Sequence, residues 1–159
     1  DCLYVGNWLI ASKDTDDPKI KDGTKYIADG AFRYNKTLQS VTIPEGVLKI
    51  GAYAFWDCRE LTDLNIPSTV KYIGKNAFVF CNIKNISLDS KNKDFALLNG
   101  ILYTHDLKYL VFCPQQITGE IKLPNETEHI GEAAFWRCAE IEKVVFPKSL
   151  KSIGRSAFF

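Results

Sequence analysis

Ile50-Gly51-Ala52-Tyr53-Ala54-Phe55-Trp56-Asp57-Cys58 is one of five near-copies of a single plan within 159 residues. The others read YIADGAF from Tyr26 to Phe32, YIGKNAF from Tyr72 to Phe78, HIGEAAF from His129 to Phe135 and SIGRSAF from Ser152 to Phe158. Phe32, Phe55 and Phe78 are spaced 23 residues apart, as are Phe135 and Phe158. A fixed period of this length is the mark of a solenoid, in which each repeat is one coil of a stack.

Before each motif runs a second periodic signal, apolar-x-x-apolar-x-apolar, usually closed by proline. It reads Leu38, Val41, Ile43, Pro44; then Leu61, Leu64, Ile66, Pro67; then Ile83, Ile86, Leu88; then Ile141, Val144, Phe146, Pro147. Alternation over the last three apolar positions is the period of a half-buried strand, and proline, lacking an N–H, ends the ladder. From the last strand residue to the motif isoleucine there are seven residues in each regular coil, and the same ruler picks out Ile20 before Ile27 and Leu123 before Ile130. Six strand positions follow, Leu88 included, and they are expected to pair in one parallel ladder. The Ile-Gly-x-x-Ala-Phe return is too short for a regular α-helix and is expected to be a 3₁₀ or single-turn element.

One coil cannot fold alone, because its few apolar side chains return less than the ordering of its backbone costs. Stacking must supply the rest. Gly51, Gly74, Gly131 and Gly154 therefore recur where one coil lies close against the next, and Ala28 in the first copy argues for close packing rather than an obligatory positive φ. The 57 residues between Phe78 and Phe135 break the period. Within 89–120, Phe95–Tyr103 and Leu107–Phe112 read as strands with turns at Asn99-Gly100 and at Thr104-His105-Asp106, a hairpin unit standing in for a missing coil. Residues 1–11 resemble the second half of that unit.

The combination of Ile-Pro, Ile-Gly-x-x-Ala-Phe and x-x-Cys at this period resembles the BspA-type leucine-rich repeat. The resemblance rests on IPEGVLKIGAYAFWDC, IPSTVKYIGKNAFVFC, LPNETEHIGEAAFWRC and FPKSLKSIGRSAF, and with the linked strands and the hairpin unit it reaches nearly the whole chain. It implies a leucine-rich-repeat solenoid with short parallel strands on the concave face, turns or 3₁₀ elements on the convex face, and one inserted β-hairpin unit. All of 1–159 is expected to form one domain, a piece of a longer array, since the last repeat breaks off after Phe159. The family's use implies a non-enzymatic interaction or adhesion module of a surface or secreted bacterial protein, binding a protein or glycan of a host matrix or cell surface. A substrate-positioning or spacer domain of a larger enzyme or effector is the alternative. The chain begins at Asp1 with no methionine and no apolar leader, so a secretion signal and an anchor are expected outside it.

Composition narrows the function further. Twenty basic and nineteen acidic residues are interleaved, so the one-signed surface of a nucleic-acid binder is missing. No apolar run is long enough to span a membrane. Cys58, Cys81 and Cys138 each follow a motif phenylalanine by three, a place Asn35 takes in the first copy. That makes them free thiols capping turn backbone inside the stack rather than bridges, with Cys2 and Cys113 in irregular strands. No Cys-x-x-Cys pair offers zinc, and Asp14-Thr15-Asp16-Asp17-Pro18 lacks the glycine and distal glutamate of a calcium loop. No catalytic or phosphate motif is present, so no catalytic residue, cofactor or metal is expected. His105 falls in a turn and His129 at a position that varies among copies. Trp56, Trp136 and Phe159, one after the motif phenylalanine, read as packing at the turns, with an exposed aromatic stripe as the rival reading.

The expected binding surface is the strand face that points away from the core. Alternation assigns it Ser40 and Thr42, Asp63 and Asn65, Asn85 and Ser87, Glu120 and Lys122, and Lys143 and Val145. These vary from coil to coil while the inward positions do not, which is how a scaffold separates stability from recognition. Open strand edges at the two ends offer a route to self-association. The sequons at Asn35, Asn85 and Asn125, two of them on a ladder position and a strand, fit a bacterial source, because a glycan there would block stacking.

Overall fold

The computed structural model describes residues 2–159 and contains only strands, turns and bends. The strands in chain order are β1 (Cys2–Val5), β2 (Trp8–Ser12), β3 (Tyr26–Ile27), β4 (Ser40–Val41), β5 (Lys49–Ile50), β6 (Asp63–Ile66), β7 (Tyr72–Ile73) and β8 (Asn85–Leu88). There follow β9 (Phe95–Leu98), β10 (Ile101–Thr104), β11 (Tyr109–Phe112), β12 (Gly119–Lys122), β13 (His129–Ile130), β14 (Ile141–Val145) and β15 (Ser152–Ile153). The chain divides into two compact units, one reaching to Asp94 and the other Phe95–Phe159.

Both units are built the same way. An antiparallel hairpin opens each one, β1–β2 in the first and β10–β11, with β9 on its outer side, in the second. Parallel two-residue strands then stack on the hairpin, in the orders β2-β3-β5-β7 and β11-β13-β15. The strand runs ahead of the motifs pair separately, as β4-β6-β8 in the first unit, extended by a Lys19–Thr42 bridge, and as β12-β14 in the second. Each regular coil thus feeds two parallel sheets. The strand runs expected to make one six-strand ladder form β4-β6-β8 in the first unit and β12-β14 in the second.

Of the two forms expected for the motif return, a 3₁₀ or a single-turn element, the structure has turns: each return opens on a two-residue strand and continues in turns, and no 3₁₀ helix occurs among the described residues. The backbone explains it. The residue before each Ala-Phe pair has positive φ, as Gly30, Tyr53, Asn76, Ala133 and Ser156, and so does the second residue after the phenylalanine, as Tyr34, Asp57, Phe80 and Arg137. This handedness breaks any helical run. Alternate N–H groups consequently point out of the coil. Gly30, Phe32 and Tyr34 donate to the carbonyls of Ala52, Ala54 and Trp56 in the next coil, while Ala31, Arg33 and Asn35 donate locally to Ala28, Gly30 and Phe32. Tyr53, Phe55 and Asp57 repeat the arrangement toward Lys75, Ala77 and Val79. The turns are therefore laddered like strands, which offsets the roughly 1–2 kcal/mol that each left-handed non-glycine residue costs.

Side-chain stacking follows the same register. In the first unit Phe32 and Phe55 lie 4.8 Å apart at 6°, and Phe55 and Phe78 lie 5.8 Å apart at 21°. In the second, Phe135 and Phe158 stack at 4.7 Å and 8°. Leu64, Ile66, Val47 and Val70 fill the first interior, and Tyr103, Leu110, Leu123, Ile130 and Phe135 the second. The hairpin turn at Asn99-Gly100 has positive φ at both residues between Leu98 and Ile101, the two-residue turn that matches strand twist. At the other end of β10, Asp106 accepts from the Thr104 hydroxyl at 2.7 Å and the Lys108 N–H at 3.1 Å.

Candidate functional site

The outward face of β4, β6 and β8 gathers six of the ten expected residues in the first unit. Ser40, Asp63 and Asn85 share one register row, and Asn65 and Ser87 are partners in the next. Thr42 lies beyond β4, on the bridge to Lys19. All six are exposed, whereas Val41, Leu64 and Ile66 between them are buried, as strand alternation requires. With Val41 and Leu64 they line a shallow groove of about 230 Å³. Its polar atoms are already organised. Asn85 Nδ2 donates to Asp63 Oδ1 at 2.8 Å, the Thr62 hydroxyl donates to Asp63 Oδ2 at 2.6 Å, and the Ser40 hydroxyl reaches Asp17 Oδ1 at 3.5 Å. The Thr62 and Asn85 hydrogen bonds, and then Lys84, hold the Asp63 carboxyl below its ordinary value. Asp63 therefore carries its charge to lower pH than a solvated aspartate.

The other four residues lie on β12 and β14 of the second unit and have a different character. Glu120 and Lys143 are register partners and form an ion pair at 3.0 Å, while Lys122 opposes Val145, which is half-buried. At this exposed site the pair contributes little to stability.

The thiol ladder is built as its spacing implies. Cys58 Sγ donates to Phe32 O at 3.0 Å and Cys81 Sγ to Phe55 O at 2.9 Å, each bonding the coil before. Asn35 does the same job with its amide, reaching Lys13 O and Thr15 O at 3.3 Å while its Oδ1 accepts the Thr37 and Leu38 N–H groups at 3.0 Å. None of the five cysteines forms a disulfide. Burial pushes the Cys81 thiol well up, and hydrogen bonding with Cys138 together with burial raises Cys113. A neutral, buried thiol is a poor nucleophile. Under native conditions at pH 8, Cys58, Cys81 and Cys113 are expected to resist alkylation by iodoacetamide while the unfolded chain reacts at all five, as peptide mass mapping would read. Native labelling of Cys81 at the unfolded rate would contradict its buried role.

Trp56 is half-buried at the turns, 5.2 Å from Tyr53 and 4.7 Å edge-on from Phe80, with the Arg33 guanidinium 5.7 Å from its ring. Trp136 is half-buried beneath Arg137, whose guanidinium lies 4.6 Å from the ring, and Phe159 is 81% exposed. The two tryptophans thus belong to turn packing. His129 Nδ1 lies 2.8 Å from the Ser152 hydroxyl, and no cluster of three metal-ligating side chains occurs among the described residues.

One surface escaped the sequence reading. The residues just before the motif isoleucines, Tyr26, Lys49 and Tyr72, point outward from the second sheet of the first unit and align with Trp8 of the hairpin. In the sequence their position, shared with His129, shows only that it varies among copies. The available signal was the match of Trp8-Leu9 to Tyr26-Ile27.

Comparison with known proteins agrees with this architecture. The family model described as "BspA type Leucine rich repeat region" matches six copies over residues 11–118 and 106–159. The crystal structure of a leucine-rich cell surface protein from Faecalibacterium prausnitzii A2-165 is 33% identical, with a TM-score of 0.83 over 90% of this chain and 38% of that one. The pneumococcal vaccine antigen PcpA is 27% identical, with a TM-score of 0.81 over 86% of this chain and 35% of that one. A leucine-rich repeat protein from Eubacterium ventriosum, at 18% identity and a TM-score of 0.61, shares the fold. No curated protein matches the chain. The chain thus spans little more than a third of the length of the first two solved relatives. By its repeats, its laddered turns and these matches, the chain belongs to the BspA-type leucine-rich repeat family.

Proposed function

We propose that the chain is a non-enzymatic interaction module of a bacterial surface or secreted protein, and that it binds a protein partner through the outward face of β4, β6 and β8. The observation that carries this reading is the row of exposed Ser, Thr, Asp and Asn side chains held at one coil spacing on a parallel strand ladder. Such a surface is already ordered before binding, so little conformational entropy is lost on association. Donors and acceptors without large apolar area favour a hydrogen-bonding partner surface over a lipid or a small apolar ligand. The surface location finds support in the relatives, one described as a cell surface protein and another as a vaccine antigen.

The test is binding of the folded chain to a panel of host matrix and cell-surface proteins, followed by Asn65→Arg. That side chain would fill the groove from an exposed position, so the melting temperature should hold while affinity drops about tenfold or more, or about 1.4 kcal/mol. A partner bound equally well by the Asn65→Arg protein would place recognition elsewhere.

A further inference from the structure

The outer face of the first unit's second sheet carries one continuous row, Val5, Trp8, Tyr26, Lys49 and Tyr72, each the register partner of the next across β1, β2, β3, β5 and β7. Four strand spacings make it about 19 Å long. Val5, Trp8 and Tyr72 are 63%, 40% and 54% exposed. Trp8 and Tyr26 stack at 4.5 Å, and Lys49 Nζ lies 5.3 Å from the Tyr72 ring centre. Beside this row runs a second, Asn7, Lys25, Leu48 and Lys71, joined by backbone bonds from Lys25 N to Asn7 O, Leu48 N to Lys25 O and Lys71 N to Leu48 O.

The second unit has the same two rows with different occupants, and the difference is informative. There the outer row is Tyr109, His129 and Ser152, and the flanking row is Lys108, Glu128 and Lys151. Glu128 lies 3.4 Å from Lys108 and also pairs with Lys151, so in that unit one carboxylate offsets part of the charge of two lysines. In the first unit Lys25 stands where Glu128 does and Leu48 follows it, so no carboxylate enters the row. None of Lys25, Lys49 and Lys71 forms an ion pair among the described residues; the first unit's pairs are Lys19 with Asp17 and Arg59 with Asp57. The fold demands neither composition, since both occupy the same scaffold. Three uncompensated positive charges at successive coil heights, beside an aromatic row, form a surface whose complement is not supplied by the chain itself.

We propose that this double row binds an anionic polysaccharide, its sugars packing against the exposed parts of Trp8, Tyr26 and Tyr72 and its sulfate or carboxylate groups meeting Lys25, Lys49 and Lys71. Rigid aromatic side chains give apolar area with polar tips, which suits pyranose rings that are apolar on their faces and hydroxylated at their edges. One coil spacing, about 4.8 Å, is close to the length one sugar adds to an extended chain, so charge on successive sugars can meet charge on successive coils. An acidic peptide is the weaker fit, because strand addition would take place at the edges of β1 and β7 and not along rows that cross the face of the sheet. This surface is distinct from the β4-β6-β8 groove, and either can fail without the other.

The experiment measures binding of the whole chain to heparin, neutral dextran and poly-L-glutamate. Heparin is expected to bind at least about tenfold tighter than either of the others. Lys49→Gln and Lys71→Gln should each weaken heparin binding several-fold and flatten its salt dependence, while Lys108→Gln, whose charge Glu128 already offsets, should weaken it much less. Tyr72→Ala, at an exposed position, should keep the melting temperature and still weaken binding several-fold at 0.5 M salt, where screening acts within about 4 Å. Absence of saturable heparin binding, equal binding of poly-L-glutamate, equal sensitivity to Lys108→Gln, or a Tyr72→Ala protein that binds like the parent would each overturn the proposal.

Discussion

Phe55→Ala is expected to destabilise the first unit by about 3–5 kcal/mol, read as a drop in the urea midpoint at unchanged slope. Phe55 is fully buried, and its ring lies between those of Phe32 and Phe78. Removing it deletes the transfer free energy of one side chain and also opens a gap that both neighbours border. Their backbones are held by the turn ladder, through Phe32 N to Ala54 O and Phe55 N to Ala77 O, so collapse into the gap is resisted. Phe158→Ala provides the contrast. That ring stacks on Phe135 but is 47% exposed, so its loss should cost about 1 kcal/mol or less by area. Equal losses at the two positions would show that stacking does not carry the stability.

Gly74→Ala should be nearly as damaging, at about 2–4 kcal/mol, through overpacking rather than a void. A Cβ built there would stand 2.3 Å from Ala52 N and 2.6 Å from Ala52 Cα and Gly51 C, all backbone atoms that cannot rotate away. The coils would have to part, taking the bond from Gly74 N to Ile50 O with them. Gly131 makes the comparison sharp. Its neighbour is the hairpin strand β11 rather than a motif coil, and its nearest backbone atom would be Leu110 O at 2.9 Å. The equivalent place in the first unit, facing hairpin strand β2, is held by Ala28, which bonds Leu9 O at 2.8 Å. Gly131→Ala is therefore expected to cost far less than Gly74→Ala, and thermal melts of the pair decide it.

Much of this was legible in the residues because it is set by identity at a fixed period. The phenylalanine column, the close approach at Gly51 and Gly74, the two-residue turn at Asn99-Gly100 and the interchange of Asn35 with cysteine each need a particular side chain at each coil height. The candidate strand face was legible for the same reason, since alternation alone separates Val41 and Leu64 from Ser40 and Asp63. The motif return was legible only as a 3₁₀ or single-turn element, because its geometry is not local. Asp57 and Asn76 tolerate positive φ, but Tyr53 and Phe80 have no intrinsic preference for it; Tyr53 and Asp57 turn their N–H groups outward to carbonyls that the next coil supplies. The two-residue strands were invisible likewise, being too short to show a period.

Period, inward pattern and turn chemistry in the sequence determined a stack of 23-residue coils, interrupted by hairpins, with a polar strand face. Only the tertiary structure decided that the coils form two units, each begun by a hairpin, and that every coil serves two sheets and a laddered turn. It alone also decided which charges are spent within the fold. Lys25 and Lys71 differ from Lys108 and Lys151 in what stands beside them in a neighbouring coil, and a charge is offset by its neighbour in space, which for Lys108 and Lys151 is 20 and 23 residues away along the chain.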